Sequence, residues 1–429
     1  VYTLDENFNR NHQPNVARLL QQSGYQTAVI GKWHLGTEPN GFDYYNVLPG
    51  QGRYINPLFK EKGKPWQNGY RGGIEHKGYV TDVITNLAVK WIRNRDPKKP
   101  FFLMCHLKAT HDPWLPPQRY ADLYRDVNIP EPSNLQDDYE NRSHAAANAT
   151  LKLGRVGEES FFDNFGLKAK FRLWPNLYPD PKKLNELRDN DFRKLAYQTY
   201  LKDYLSVVAA IDENVGRLLD FLDEQGLSDN TIVIYTSDQG IFLGEHGYYD
   251  KRLMYEESTR MPFLVRYPKE IKPGTINDDL ILNVDFAPTF LDYAGIPIPF
   301  EMQGRSFRSN LSGKTPSDWR SSIYYRYWMH MAHMAVPAHY GIRTKRYKLI
   351  FYYGLGLGMK GTEGFEPTEP EWELFDLKKD PHEMNNVYND PAYAKEVKEL
   401  KAKLLKLKKE LGDTDEKYPE LMEVREKYW

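Results

Sequence analysis

Short, continuously apolar runs alternate along much of this chain with amphipathic helical stripes, and that alternation constrains the fold more than any other feature. Pro14, Val16, Leu19 and Leu20, closing at Gly24, read as a short helix, and "YQTAVI" after it as a buried strand. Val83, Ile84, Leu87, Ala88 and Trp91 mark a second helix before the strand "PFFLMCHLKA". Leu201, Tyr204, Val208, Ile211, Val215, Leu218 and Leu222 give the longest stripe, followed by "TIVIYTSD"; "PFLVRYP" and the helical "VDFAPTFLDYAG" come next. Helices alternating with β-branched, unalternating strands predict an α/β fold with a mostly parallel mixed sheet flanked by helices.

Two regions depart from this rhythm. Residues 126–190 are rich in Pro, Asn, Asp and Lys without a sustained period, and read as a loop-rich insertion. Beyond residue 305, "SSIYYRYW", "YGIRTKRYKLIFYY" and "WELFDL" predict antiparallel strands, closed by a helix over Val397, Leu400, Leu404, Leu407 and Leu411. The expected organisation is therefore a catalytic α/β domain over 1–305 and a smaller C-terminal α+β subdomain over 306–429.

In a largely parallel sheet, ligand chemistry collects beyond the carboxyl ends of the strands. Three strand ends carry it here. The first gives Lys32 and His34 in "GKWHLG"; the second gives His106, Lys108, His111 and Asp112 in "HLKATHDPW"; the third gives Asp238, Gln239, His246 and Lys251 in "SDQGIFLGEHGYYDK". A Lys-x-His pair alone is most often a solvated surface pair, and "SDQG" alone a turn. Three such ends side by side form a cationic, titratable site suited to a sulfate or phosphate group. Asp238 and Gln239 are oxygen donors, which favours calcium, or less readily magnesium, over zinc. Two donors supply only part of the six to eight that calcium takes.

Elsewhere the chemistry is excluded rather than offered. Lys+Arg and Asp+Glu nearly cancel, 58 against 59, so no global field favours nucleic acid. Every apolar run is far shorter than the ~20 residues of a membrane span. The single cysteine, Cys105, rules out an intrachain disulfide and reads as a small core residue. The chain opens on Val1 with no signal-like apolar stretch, which reads as a fragment or a processed product.

The motifs "GYQTAVIGKWHLG", "HDPW", "SDQGIFLGEHGYYDK" and "YGIRTKRYKLI…ELFDLKKDPHEMNN" together resemble the type I sulfatases of the alkaline-phosphatase-like superfamily. "GFDYYNVLPGQGRYINPLF", residues 41–59, resembles the branch that contains the N-acetylglucosamine-6-sulfatases of glycosaminoglycan breakdown. The resemblance implies sulfuric ester hydrolysis of a sulfated saccharide, with Lys32 on the sulfate and the nucleophile, and His34 as base when the sulfated intermediate collapses. By the same match His111 contacts sulfate and protonates the leaving sugar oxygen, Lys251 binds a sulfate oxygen, and Asp238 and Gln239 ligate the metal. His246 is either a substrate contact or a prop for the loop presenting Lys251. Arg53, Asp112, His339 and Arg343 lie near these motifs and are candidates for sugar contacts.

The family's nucleophile is a formylglycine made in a C/S-x-P-x-R motif, and two adjacent Asp residues complete its calcium site. Cys105 is followed by His-Leu-Lys-Ala, and no Ser here has Pro two and Arg four positions later. The chain thus resembles a sulfatase without its first strand, nucleophile and half its metal ligands, and is expected to be inactive alone. Two alternatives stay open: a phosphoester or phosphonate hydrolase of the superfamily, and a non-catalytic carbohydrate-binding remnant. Family analogy puts the parent enzyme in the periplasm or outside the cell if bacterial, or in a lysosomal or secreted setting if eukaryotic; oligomeric state is unread.

Overall fold

The structure is a computed structural model that describes residues 14–67, 69–156 and 159–429. Helix α1, Val16–Gln22, starts where the Asn15 side chain accepts hydrogen bonds from the Ala17 and Arg18 amides, and stops at Ser23 before left-handed Gly24. It feeds β1, Gln26–Lys32, whose Ala28, Val29 and Ile30 are fully buried. The main sheet runs β4-β3-β2-β1-β5, with β2 Tyr44–Leu48, β3 Leu58–Glu61, β4 Ile74–Glu75 and β5 Phe101–His106. β1 is parallel to both β2 and β5, and β2, β3 and β4 are antiparallel. Helix α2, Val80–Asn94, covers one face with Val80, Ile84 and Ala88. The long helix Asp189–Glu224 packs beside it, where Asp82 accepts from Asn214 at 2.7 Å.

The predicted α/β class holds, with one difference in the sheet. Val233–Thr236 does not join β5. It pairs antiparallel with Phe263–Arg266 as a separate two-stranded ladder. β5 therefore has a ladder partner on one side only among the described residues, and all six of its residues stay partly exposed despite their apolar character.

Residues 126–190 are more ordered than their composition predicts. They hold helices His144–Asn148, Phe161–Asn164 and Leu167–Leu173. Phe161, Phe165 and Leu167 are buried in the main core, with Trp114 stacked on Phe165 at 5.9 Å. The aromatic payload, not helical periodicity, fixes this stretch. The C-terminal part forms the expected antiparallel sheet, in the order Ser322–Tyr327, His339–Thr344, Tyr347–Tyr352, Glu371–Asp376. Helix Ala394–Glu410 lies against it through Leu400 and Leu404. No helix among the described residues is long and apolar enough to cross a membrane.

β1 and β5 meet most closely at Gly31, where φ is +109° and a Cβ would stand 1.8 Å from the His106 carbonyl oxygen. Only glycine satisfies both demands. Gly31→Ala is expected to cost at least about 2 kcal/mol, from the left-handed backbone plus the displaced strand. Urea denaturation checks it: a loss below about 0.5 kcal/mol would contradict this reading of the contact.

Candidate active site

At the carboxyl ends of β1 and β5 the chain turns sharply and presents its polar groups to one hollow. Lys32 ends β1, and its carbonyl receives the His106 Nδ1 contact at 3.1 Å, which ties the two strand ends together. His34 follows with a left-handed φ of 57°, a conformation uncommon for a residue other than glycine. Gln51 Nε2 stands 3.5 Å from His34 Nε2. On the next strand end, the Tyr54 hydroxyl donates to the His111 carbonyl at 2.5 Å, and His111 Nδ1 pairs with the Asp112 carboxylate. Asp238 and Gln239 lie exposed in the turn after Val233–Thr236, and this turn is seated by Gly240, where a Cβ would meet the Glu257 carbonyl at 2.1 Å. Lys251 reaches in from the hairpin Phe242–Leu243 with Tyr249–Asp250, held by Asp250 at 3.1 Å.

Lys32, His34, His111, Asp112, Asp238, Gln239 and Lys251 all line a single cavity of about 2290 Å³. Its electrostatics are those of a site awaiting an anion. Burial lowers Lys32 to about 8, reinforced by Lys251 and opposed by Asp238 and Asp112. Burial also lowers His34 to about 4, helped by Lys32 and His111. Two partly desolvated ammonium groups beside neutral imidazole favour a multiply charged oxyanion, whose arrival relieves the repulsion between them. Against burial, which acts upward, His111 and the neighbouring lysines hold Asp112 below the usual carboxylate range.

The cavity continues away from these groups as an apolar slot between β5 and Val233–Thr236. Leu103, Cys105, Ile211, Leu218, Ile234 and Phe290 line it. Burial pushes the Cys105 thiol up to about 12, the opposite of an activated nucleophile.

Other candidates from the sequence sit elsewhere. His246 is fully buried, with Nδ1 on Asp137 at 3.1 Å, and props the loop that presents Lys251. His339 is fully buried, donates from Nδ1 to the Pro337 carbonyl at 2.8 Å and stacks on Tyr325 and Tyr327. Neither lines the hollow. Arg53 is exposed outside it. Arg343 lines the far wall of the cavity, committed to Glu256 at 2.9 Å. Conversely, Asp250, Arg252 and His333 line the cavity although the sequence reading did not single them out as site residues. Arg252 has φ of 112° and pairs with Asp250 at 3.5 Å; its adjacency to Lys251 was the available signal, whereas His333 in "HMAHMA" carried none.

The fit to a metal is partial. Asp238 and Gln239 match a hard cation in donor type, yet among the described residues no three His, Cys, Asp or Glu side chains gather to hold one.

An α/β fold that brings two lysines, two imidazoles and two oxygen donors to one cavity has the groups that suit an oxyanion ester. Comparison with known proteins makes this specific. The sulfatase family pattern matches residues 2–296, and that of the N-sulphoglucosamine sulphohydrolase C-terminal region matches 244–410. An N-acetylglucosamine-6-O-sulfatase of Bacteroides thetaiotaomicron is 43% identical over 431 residues, covering 94% of this chain and 74% of that protein. The N-acetylglucosamine-6-sulfatase of Bos taurus is 26% identical, covering 87% of this chain and 65% of that protein. A solved structure described as a complex with its substrate D-glucosamine-2-N,6-O-disulfate superposes with a TM-score of 0.81 at 41% identity, over 95% of this chain and 84% of that one. The chain belongs to the sulfatase family, sulfuric ester hydrolases of alkaline-phosphatase-like fold that use a formylglycine and a divalent metal.

The depressed His34 makes a signed prediction. Between pH 6.5 and 4 the unfolded chain takes up a proton that folded His34 refuses, so acidification through this window destabilises the fold. NMR titration should place the His34 midpoint near 4, and His34→Gln should flatten the stability loss over that window. A midpoint of about 6.5, the unperturbed value, would contradict the burial argument.

Proposed function

We propose that this chain is the larger part of a hydrolase that removes sulfate from 6-O-sulfated N-acetylglucosamine in a glycosaminoglycan, working in the periplasm or outside the cell. The observation that carries the reading is the convergence of Lys32, His34, His111, Lys251, Asp238 and Gln239 on one cavity. The names of the relatives support the sugar and the sulfate position.

Lys32 and Lys251 bind the sulfate oxygens as point charges, and Lys32 recovers part of its desolvation cost when the anion arrives. His111, oriented by the Asp112 carboxylate, donates a proton to the departing sugar oxygen. His34, neutral at neutral pH, has a ring nitrogen free to accept a proton, and the same anion raises its basicity. Asp238 and Gln239 contribute oxygen donors to a cation, calcium in preference to magnesium. When present, the formylglycine supplies the attacking hydrated aldehyde and the cation neutralises charge on sulfate. Asp250, Arg252 and His333 form the wall beside Lys251 that faces the sugar.

No C/S-x-P-x-R motif occurs in these 429 residues, so a formylglycine nucleophile would have to be supplied by other residues. The apolar slot beside β5 suits an extended strand, because such a strand would pair with the open edge of β5 and cover its half-exposed side chains. Its carboxyl end, if parallel to β5, would emerge between Lys32 and Asp238.

Sulfate release from 6-O-sulfated N-acetylglucosamine tests the assignment. The 429-residue chain alone is expected to release none. Joined to an upstream segment bearing a matured C/S-x-P-x-R motif it should turn over, and His111→Ala should then lower kcat by about a hundredfold or more. Release by the chain alone, or full activity without His111, would overturn the proposal.

A further inference from the structure

The C-terminal motif "YGIRTKRYKLI…ELFDLKKDPHEMNN" supplies none of the groups assigned to the sulfate ester, yet three of its charged side chains converge on one residue beside the cavity. Arg343 and Lys348 stand opposite each other in the ladder between His339–Thr344 and Tyr347–Tyr352. Arg343 pairs with Glu256 at 2.9 Å, and Lys348 pairs with Glu256 at 2.9 Å and with Glu383 at 2.6 Å. Glu383, left-handed at a φ of 52°, accepts from the Glu256 amide at 2.7 Å. Lys348 and Glu383 are fully buried. Against burial, which acts upward, Lys348 and Arg343 hold the Glu256 carboxyl down to about 2. A buried ion cluster of this kind is a weak source of net stability and a strong constraint on geometry, because any displaced partner leaves a charge unpaired.

Glu256 opens the short helix Glu256–Thr259, and that helix touches both arms of the site. On one side the Ser258 hydroxyl accepts from the Arg252 amide at 3.3 Å, one residue from Lys251. On the other the Ser258 carbonyl accepts from the Gly240 amide at 3.1 Å, one residue from Gln239. The Glu257 carbonyl presses so closely on Gly240 that the approach requires a glycine there. The chain between Lys251 and the helix rests on the same C-terminal sheet. Met254 Sδ fills the space over Gly341, where a Cβ would meet it at 2.6 Å, and the Tyr255 hydroxyl donates to Glu373 at 3.1 Å. Lys32 and His34 are carried instead by β1 and the turn after it.

We propose that Lys348, with Arg343 and Glu383, is a positioning residue of the sulfate site: it fixes Glu256 and its helix, and that helix fixes both Lys251 and the turn bearing Asp238 and Gln239. The proposal rests on the sulfate-ester reading above and adds a second half to the site's construction. One wall hangs from the main sheet, and the other is set by charges in the C-terminal subdomain. It also gives Arg343, a candidate sugar contact in the sequence, a role behind the wall of the cavity.

The test compares two buried ion pairs of the same subdomain in the 429-residue chain. Lys348→Met/Glu383→Gln removes the charges under the helix while keeping side-chain volume. Lys408→Met/Asp415→Asn removes a similarly buried pair, 3.0 Å apart, that lies outside the cavity lining. Calorimetry with 6-O-sulfated N-acetylglucosamine should show affinity about tenfold or more weaker in the Lys348 variant, because donors displaced by a fraction of an ångström no longer meet the anion. The Lys408 variant should stay within about twofold of wild type, as expected for a pair uncoupled from the site. Amide hydrogen exchange should rise over 238–240 and 250–258 in the Lys348 variant and stay unchanged over 26–34. Glu256→Gln, which cuts the same link from the helix side, should give the same pattern and serves if the double variant does not fold. Equal losses of affinity in the Lys348 and Lys408 variants, or a Lys348 variant with wild-type affinity, would overturn the proposal. If the wild-type chain binds no sulfated sugar, the reading above fails on its own. Exchange then decides the positioning link: a rise confined to 238–240 and 250–258 upholds it, and a uniform rise or none overturns it.

Discussion

The backbone contact between Gly31 and His106 is the constraint on which the site depends. With no side chain at Gly31, β1 and β5 close to ladder distance at their carboxyl ends, and the His106 ring reaches the Lys32 carbonyl. That closure places Lys32 and His34 on one strand end and the Lys108–Asp112 turn on the next. Lys108 is itself buried, donating to the Asp112 carbonyl at 3.1 Å over the Tyr54 ring, so the turn carrying His111 is fixed from below. A rigid seat matters here because electrostatic stabilisation of a tetrahedral group depends on donors that need not move to meet it.

Charge explains why this seat favours an anion. Lys32 and Lys108 are both lowered to about 8 by burial, and each is further lowered by a neighbouring lysine. An oxyanion beside these partly desolvated cations stabilises their charged forms. The apolar slot beside β5 tells a parallel story for the backbone: an edge strand of apolar residues, half exposed, with a cavity where a ladder partner fits. Both features lie toward the cavity that Lys32, Lys108 and β5 share.

Much of this was legible in the sequence because it rests on local pattern. Unalternating apolar runs gave β1 and β5 within a few residues, the polar residues after three strand ends marked the cavity, and the family resemblance singled out Lys32, His34, His111 and Lys251 among them. What was not legible depends on tertiary burial. His246 and His339 look like any polar site histidine in the sequence, yet the first is sealed against Asp137 and the second among tyrosines. His333 lies in irregular chain, and only the fold carries it to Lys251. The separation of Val233–Thr236 from β5 was equally hidden, since an apolar run shows that a strand is buried but not which strand it pairs with. In 126–190, Phe161 and Phe165 enter the core from short helices with too few turns to show a period.

The central claim is that one cavity collects the groups that hold a sulfate ester. A crystal structure of the chain grown with calcium and 6-O-sulfated N-acetylglucosamine addresses it directly. The account predicts the sulfate group in contact with both the Lys32 and Lys251 Nζ atoms, with His111 on the side of the bridging sugar oxygen. A sulfate group seated elsewhere, with those two ammonium groups left on water, would contradict it.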